Sequence, residues 1–345
     1  MFDHPDFDDH RHVSLITEPP LRAIIAIHRD GPFGGAGGGC RIYPYPSAGA
    51  AVTDALRLSR AMTYKLAITG LPAGGAKCVV IADTQRDKND ALLAAIGRAV
   101  HRLGGRYIIA EDVGTTPDDM DRIAEHTPYV SRRRVAYDTA RSTADGVFVG
   151  LCAAVRHRFG SYVDLADVRI AVQGVGRVGE RLCELLKETG ATLFVADVDG
   201  DAARRVALAV NAEVVSPQRI HTLDVDVFAP CALGSVIDDN AIEALRCSIV
   251  AGSANNPLAD DRRHAEALRE RGILYAPDFV ISAGGVLGAA HGDDEARLAT
   301  QIAKLGETLE LVFERAEQRR ISTYVAAVEL AKRRLGEPIG REDGP

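Results

Sequence analysis

The chain has 345 residues, 46% of them hydrophobic and 26% charged, with a net charge of −7. That length suits two domains, each with a core of its own. The acidic balance, without a long basic block, argues against nucleic acid or an anionic membrane as a main partner, and no apolar run approaches the ~18 residues of a spanning helix.

His12 to Ile16 and Leu21 to His28 read as two short strands around a Glu18-Pro19-Pro20 turn. The stretch from Gly31 to Arg41 holds too many glycines for core filler, and suits a loop or a backbone that approaches a ligand closely. Ser47 fits the N-cap of a long helix, about Ala48 to Ile68, with Val52, Ala55, Leu56, Ser59 and Met62 at helical spacing. Lys65 continues that face. A lysine on a buried stripe needs a partner or a task; a snorkelling lysine at a helix end is the plainer alternative. A turn through Gly70, Pro72, Gly74 and Gly75 leads to Lys77, which opens the apolar run from Cys78 to Ile81. Lys65 and Lys77 stand twelve residues apart, where a helix end and a strand start can share one cleft. Two ammonium groups held close and away from water disfavour each other's charge, so one can serve as a base while the other holds an anion. Two solvated surface lysines are the ordinary alternative.

Asn89 starts the next helix, with Leu92, Ile96, Ala99, Val100 and Leu103 on one face, and Gly104-Gly105 stops it. Tyr107 to Ala110 is a short strand. Glu111-Asp112 sits just past its end, where ligands gather in open α/β sheets. Thr116-Pro117-Asp118-Asp119 is a helix start: a cap, proline in the first turn, then acids.

Arg132-Arg133-Arg134 is a short basic run at the expected domain boundary and reads as a solvated face. Thr139 to Gly160 reads as a helix linking the domains. Val168 to Gln173 is a strand that runs into Gly174-Val175-Gly176-Arg177-Val178-Gly179. A helix from Glu180 to Lys187 and a second strand from Leu193 to Ala196 follow, ending at Asp197. A bare G-x-G-x-x-G is weak evidence. Strand, glycine turn, helix, strand and an acid 18 residues past Gly179 together indicate a Rossmann dinucleotide fold. The first glycine permits the tight turn, the second lets backbone approach the pyrophosphate, and the third lets the helix pack on the strand with its N-terminus toward the phosphates. Asp197 can accept both ribose hydroxyls and repels a 2′-phosphate, so NAD is expected over NADP; Asp199 is a second acid able to share that role. Arg177 is available to phosphate. Strands at Val225 to Pro230, Cys247 to Ala251 and Ile273 to Tyr275 extend a doubly wound sheet. Loops after parallel strands emerge on one side. The glycine turn, the Cys231 to Gly234 loop with Ala232, and the Asn255-Asn256 loop are therefore expected to line one crevice. Asn256 read alone is a turn asparagine that tolerates the left-handed region. Helices at about Glu295 to Arg315 and Thr323 to Arg334 look like a return toward the first domain.

Met62-Thr63-Tyr64-Lys65, the Gly74-Gly75-Ala76-Lys77 segment, Gly38-Gly39-Cys40-Arg41, Glu111-Asp112-Val113-Gly114-Thr115 and Thr143-Ala144-Asp145-Gly146-Val147 carry a resemblance. Together they resemble the glutamate/leucine/phenylalanine/valine dehydrogenase family, in its leucine/phenylalanine dehydrogenase-like branch, over about residues 21–335. The resemblance implies that Lys65 pairs with a substrate α-carboxylate, that Lys77 is the catalytic acid/base, and that Asp112 passes protons to and from the substrate nitrogen. It places Gly38, Gly39 and Arg41 along the substrate and the nicotinamide end of the cofactor, Thr143 against the nicotinamide amide, and Asn256 at the substrate carboxylate or the cofactor. Two segments depart from the common form: Ala140-Arg141-Ser142, and Ser282, which stands where asparagine is usual and has a shorter reach toward the nicotinamide or substrate. Gly37 stands where relatives often carry leucine, which widens the side-chain pocket.

The expected fold is α/β in two domains separated by a deep cleft. One is an N-terminal α/β substrate domain, residues 1–134, to which a C-terminal helix at 318–345 returns. The other is a Rossmann NAD-binding domain, residues 135–317. The expected activity is reversible, NAD-dependent oxidative deamination of an apolar or aromatic L-amino acid to the 2-oxo acid and ammonia. Rival readings are a non-catalytic dinucleotide-sensing homologue, suggested by the two departures, and a Rossmann oxidoreductase acting on a hydroxy acid. Cys40, Cys78, Cys152, Cys183, Cys231 and Cys247 form no C-x-x-C pair and read as free thiols of a reducing cytoplasm. The N-terminus lacks a signal pattern. The ten histidines show no ligand spacing, so no metal is expected. A homo-oligomer is expected.

Overall fold

The computed structural model describes residues 1–32, 34–131, 138–232 and 234–337; the Arg132-Arg133-Arg134 run lies outside them. The chain divides into two compact units, residues 1–134 and 135–345.

In the first unit, β1 (His12–Glu18) and β2 (Leu21–Ile27) form an antiparallel hairpin. Then come β3 (Ala36–Tyr43), α1 (Ala48–Thr69), β4 (Gly74–Ile81), α2 (Asp90–His101), β5 (Tyr107–Glu111) and α3 (Pro117–Ala124). The sheet order is β1-β2-β4-β3-β5, antiparallel where β2 meets β4 and parallel from β4 through β3 to β5. Ser47 caps α1 by accepting from the Ala50 amide, and Gly70 closes it in the left-handed region. Alternate strand residues face opposite sides. Cys40, Ile42, Ala76, Cys78, Val80, Tyr107 and Ile109 form one core with Leu92 and Ile96 of α2 and Ile123 of α3. Ile24, Ala26 and Val79 face the other way and pack on Ala51, Ala55 and Leu56 of α1. By the same alternation Arg41 and Lys77 fall on the α1 side.

The glycine-rich stretch differs from its sequence reading. From Ala36 it is a strand in the interior of the sheet, and β4 begins at Gly74, so Lys77 stands inside a strand. Packing accounts for two of the glycines. A Cβ on Gly38 would lie 1.7 Å from the Ala76 carbonyl oxygen, and one on Gly75 would lie 2.1 Å from the Thr63 amide nitrogen of α1.

The second unit runs α4 (Thr139–Phe159), β6 (Arg169–Gln173), α5 (Arg177–Glu188), β7 (Thr192–Ala196), α6 (Gly200–Val210) and β8 (Glu213–Val214). It continues with β9 (Val227–Pro230), α7 (Asp239–Ala244), β10 (Ile249–Val250), α8 (Asp261–Glu270) and β11 (Leu274–Tyr275). The closing helices are α9 (Asp278–Ile281), α10 (Gly284–His291), α11 (Glu295–Arg319) and α12 (Thr323–Arg334). Its parallel sheet has the order β11-β10-β9-β6-β7-β8. Counted within the unit this is 3-2-1-4-5-6 read from the other edge, the doubly wound arrangement whose order reverses between β6 and β9. Helix α11 packs on α4 and α10. Helix α12 packs on α11, α8 and β11, and Thr323 Oγ1 donates to the Tyr275 carbonyl at 2.6 Å. The described part of residues 318–345 thus belongs to the second unit, against the expected return to the first.

A polar N-terminal segment lies along α1. His4 Nε2 meets Thr53 Oγ1 at 3.2 Å, Asp6 pairs with Arg60 at 3.4 Å, and Tyr64 OH donates to Asp8 at 3.1 Å. His10 Nε2 lies 3.1 Å from both Leu56 O and Ser59 Oγ, and its ring sits 4.9 Å from that of His28, which is buried against Asp8. Burial, aided by the neighbouring His28, pulls His10 down to about 4; burial also lowers His28, against the pull of Asp8. Well above pH 6.5, from about 7.5, these imidazoles are neutral folded or unfolded and contribute nothing to a pH slope. Below it the unfolded chain takes up protons that the folded chain refuses, so stability falls as pH drops, for His10 down to about 4. The thermal midpoint is expected to fall by several degrees between pH 6.5 and 4.5, and His10→Gln should flatten that slope. Equal slopes in scanning calorimetry would contradict it.

Candidate active site

Four charged side chains are linked on the α1 face of the first unit's sheet. Lys77 Nζ lies 2.9 Å from Asp112 Oδ1. Arg41 donates from Nε to Asp112 Oδ2 and from Nη1 to Asp54 Oδ2, both at 2.9 Å. Tyr45 OH donates a short hydrogen bond to the same Asp54 oxygen. Lys77 and Arg41 are 7% and 6% exposed. Strand register assembles the group: Cys40 lies opposite both Cys78 and Glu111, which brings Asp112 alongside Arg41 just beyond the end of β5. The Asp112 amide donates to Thr115 Oγ1 at 2.8 Å, and that hydroxyl reaches the Cys40 carbonyl at 3.0 Å, pinning the loop to β3. Gly39 has to lack a side chain, because a Cβ there would lie 2.6 Å from Asp112 Cβ.

Burial alone pushes a carboxyl up. At Asp112 Lys77, and after it Arg41, outweigh burial and hold the group well below the usual carboxylate range. Burial likewise opposes the Arg41 charge, and Asp112 and Asp54 reverse that and strengthen it. Burial, then Asp54, pushes the Tyr45 phenol well up. The group at hydrogen-bond distance from Lys77 is the Asp112 carboxylate, a partner that the lysine spacing does not announce. Lys65 is half-buried on α1, eleven residues past Asp54. That is about three helical turns, so the two share a side of the helix. Arg41, expected along the cofactor, is committed to two carboxylates. Gly38 and Gly39 sit in β3, their carbonyls accepting from Tyr107 OH at 2.9 and 3.2 Å. Around Gly37 no atom lies within 4 Å of where a Cβ would stand.

In the second unit the chain leaves β6 through Gly174, at φ +95°, and enters α5 at Arg177. No side chain caps α5, and a Cβ on Gly176 would meet nothing within 4 Å. A Cβ on Gly179 would lie 2.0 Å from the Gly174 carbonyl oxygen. Uncapped amides behind an open surface suit a pyrophosphate. Asp197 ends β7 with Oδ2 accepting from the Val175 amide at 2.8 Å and Oδ1 from the Asp199 amide at 2.9 Å, which fixes the carboxylate beside the turn. Asp199 itself caps α6, accepting from Asp201 and Ala202, so Asp197 is the better placed of the two acids. The residues present fit a dinucleotide. Ala232 touches the same turn: its nitrogen lies 2.7 Å from a Cβ built on Gly174.

Other expected contacts fare unevenly. Arg177 pairs with Asp138 at 2.6 Å, an exposed surface pair of little strength. Thr143 Oγ1 donates to the Thr139 carbonyl at 2.7 Å and lies against Gly285. Ser282, 3% exposed, donates to the Asp278 carbonyl at 2.6 Å. Both hydroxyls donate to a carbonyl four residues earlier, and a hydroxyl that donates keeps lone pairs with which to accept. Asn256 is left-handed at φ +49° and buried, yet its Nδ2 has no partner among the described residues. A buried amide of that kind calls for an acceptor beyond the described residues, a water or a ligand atom. Asp54 and Tyr45 are absent from the sequence reading, and Thr115 enters it only as the last residue of a motif, without a role. Asp54 is legible only as the acid three turns before Lys65, and Thr115 only as a hydroxyl three residues after Asp112.

A doubly wound sheet with an open glycine turn, joined in one chain to a buried lysine–aspartate–arginine cluster, suits a nicotinamide-dependent oxidoreductase. Comparison with known proteins makes this specific. Residues 17–129 match the Glu/Leu/Phe/Val dehydrogenase dimerisation domain, and residues 201–331 match the glutamate/leucine/phenylalanine/valine dehydrogenase domain. The chain is 44% identical over 325 residues to a leucine dehydrogenase of Bacillus cereus, covering 92% of this chain and 88% of that protein. It is 45% identical over 321 residues to an L-tryptophan dehydrogenase of Nostoc punctiforme, covering 92% and 90%. The crystal structure of L-tryptophan dehydrogenase from Nostoc punctiforme superposes with a TM-score of 0.76 at 44% identity, covering 95% and 96% of the two chains. The chain belongs to the glutamate/leucine/phenylalanine/valine dehydrogenase family, and is an NAD-dependent amino acid dehydrogenase.

The turn generates one prediction. Gly179→Ala drives a methyl into the Gly174 carbonyl and should raise the Kd for NAD at least about tenfold, some 1.4 kcal/mol, by calorimetric titration. Binding as tight as the parent's would contradict the role given to this glycine.

Proposed function

We propose that the enzyme oxidatively and reversibly deaminates an L-amino acid with an apolar or aromatic side chain, giving the 2-oxo acid, ammonia and NADH. The observation that carries this reading is the carboxylate of Asp112 gripped by Lys77 and Arg41 on a buried sheet face. NAD, when bound at the Gly174–Gly179 turn with its adenosine ribose on Asp197, supplies the hydride acceptor. Lys65 pairs with the substrate α-carboxylate. Gly38 and Gly39 border the substrate, and the unpartnered Nδ2 of Asn256 reaches the carboxylate or the cofactor.

Asp112 takes the proton of the substrate amine and returns it to the leaving ammonia. Lys77, neutral in its working form, takes a proton from the water that attacks the imine left by hydride departure and becomes the ammonium. The pair explains the timing. While Lys77 holds Asp112, the carboxylate is a poor base. In its neutral form Lys77 no longer offers Asp112 a charge, and the carboxylate, without its strongest cationic neighbour, gains proton affinity.

Relatives named leucine, tryptophan and phenylalanine dehydrogenase support an apolar side chain. The open space at Gly37 supports a large one. We further propose a homo-oligomer, since the first unit matches a family domain described by dimerisation. We place it in the cytoplasm: the six cysteines are free and mostly buried, as reducing surroundings favour, and no helix of the described residues is long and apolar enough to cross a membrane.

A panel of 2-oxo acids with ammonium and NADH, followed at the nicotinamide absorbance, tests the reading. Turnover is expected with apolar and aromatic 2-oxo acids and to require ammonium; ammonium-independent oxidation of NADH would contradict it. Gly37→Leu fills the open space and should lower kcat/KM for phenylpyruvate relative to a branched aliphatic 2-oxo acid by about tenfold or more. An unchanged ratio removes Gly37 from the side-chain pocket.

A further inference from the structure

We propose that Asp54 and Arg41 form a positioning chain that fixes Asp112 in place and in charge, with Arg41 acting through that carboxylate rather than on the dinucleotide. The inference rests on the reading of Asp112 as the carrier of the amine proton. The geometry is that of a bridge. The Arg41 guanidinium sends one N–H to each of two carboxylates at equal distance, and is 6% exposed. A planar fork holds both carboxylates in one fixed geometry, whereas an ammonium on a flexible stem leaves its donors free to rotate. Asp54 stands on α1 and is held in turn by Tyr45 OH, so the orientation of Arg41 is set by a helix and that of Asp112 by the sheet.

Charge bookkeeping points the same way. Two cations, Lys77 and Arg41, face two anions, Asp112 and Asp54. Without Arg41 a single ammonium would serve two largely buried carboxylates, and an uncompensated buried charge is costly. Lys77 from β4 and Arg41 from β3 face Asp112 directly. Asp54 and Tyr45 act on it through Arg41, Glu111 precedes it in the chain, and Thr115 meets its amide. Tyr107 and the thiols of Cys40 and Cys78 lie in the core on the opposite sheet face.

The test compares kcat, KM and their pH profiles for Arg41→Gln, Arg41→Lys, Asp54→Asn and Asp112→Asn in the full-length enzyme, with NAD affinity measured separately. Arg41→Gln should move the acid limb of kcat/KM upward by about one pH unit and lower kcat, while NAD affinity stays within about threefold. Arg41→Lys should restore the limb but not the full kcat, because it keeps the charge and loses the bridge. An unmoved limb in Arg41→Gln, or a loss confined to KM for NAD, overturns the inference. Should Arg41→Gln fail to fold, Asp54→Asn, which keeps the shape, decides: a severalfold fall in kcat at unchanged NAD affinity is expected, and an undiminished kcat overturns it. Asp112→Asn separates the two readings. If it turns over like the parent, the role given to Asp112 is wrong; if it is inactive while the Arg41→Gln profile is unmoved, only the positioning chain is wrong.

Discussion

A carboxylate and an ammonium, both largely hidden from water, meet on one face of a β-sheet, and much of the first unit serves to make that meeting tolerable. Taking the two charges out of water costs several kcal/mol each before their attraction is counted. The cost is offset by close ionic contact between Lys77 and Asp112, by a second cation at Arg41, and by a hydroxyl on the Asp112 amide. Strand alternation directs Lys77 and Arg41 to the α1 side, and a glycine at 39 leaves room for the aspartate between them. Substitutions that look remote, on β3 or α1, therefore reach the charged cluster through register and packing.

The second unit solves a different problem with backbone rather than side chains. A dinucleotide needs amides aimed at a pyrophosphate and nothing in the way. The turn from β6 into α5 supplies both, through glycines with distinct duties: Gly174 turns, Gly176 leaves space and Gly179 lets the helix press on the turn. Asp197 is tied to the Val175 amide, so the acid and the turn hold one another in position.

Much of this was legible from residue order. The nucleotide turn announces itself because strand, glycines, helix and acid lie consecutively along the chain, and the alternation around them implies a doubly wound sheet, whose strand order and short β8 only the structure supplies. Asp112 and Lys77 were legible as motif residues, but their contact was not, since it depends on β3 lying between β4 and β5. That strand was itself concealed: Gly37, Gly38 and Gly39 erase the apolar alternation by which a strand is recognised, and a glycine run reads as a loop. Arg41 shows the same limit. Its motif places it near a ligand, whereas two acids distant in sequence, Asp54 and Asp112, claim its guanidinium. Thr143 and Ser282 were legible as hydroxyls, yet each bonds to a carbonyl of its own helix, a choice the backbone makes. The last helix follows α11 into the second unit because its partners are α8 and β11, and no periodicity identifies a partner.

The account turns on Lys77 being the group that moves protons beside Asp112. Its most direct measurement is steady-state oxidation of a leucine or phenylalanine substrate by Lys77→Ala, with NAD binding measured by calorimetry on the same preparation. The account predicts a loss of about 10³-fold or more in kcat with NAD affinity within about threefold of the parent. Turnover retained at the parent rate would contradict it.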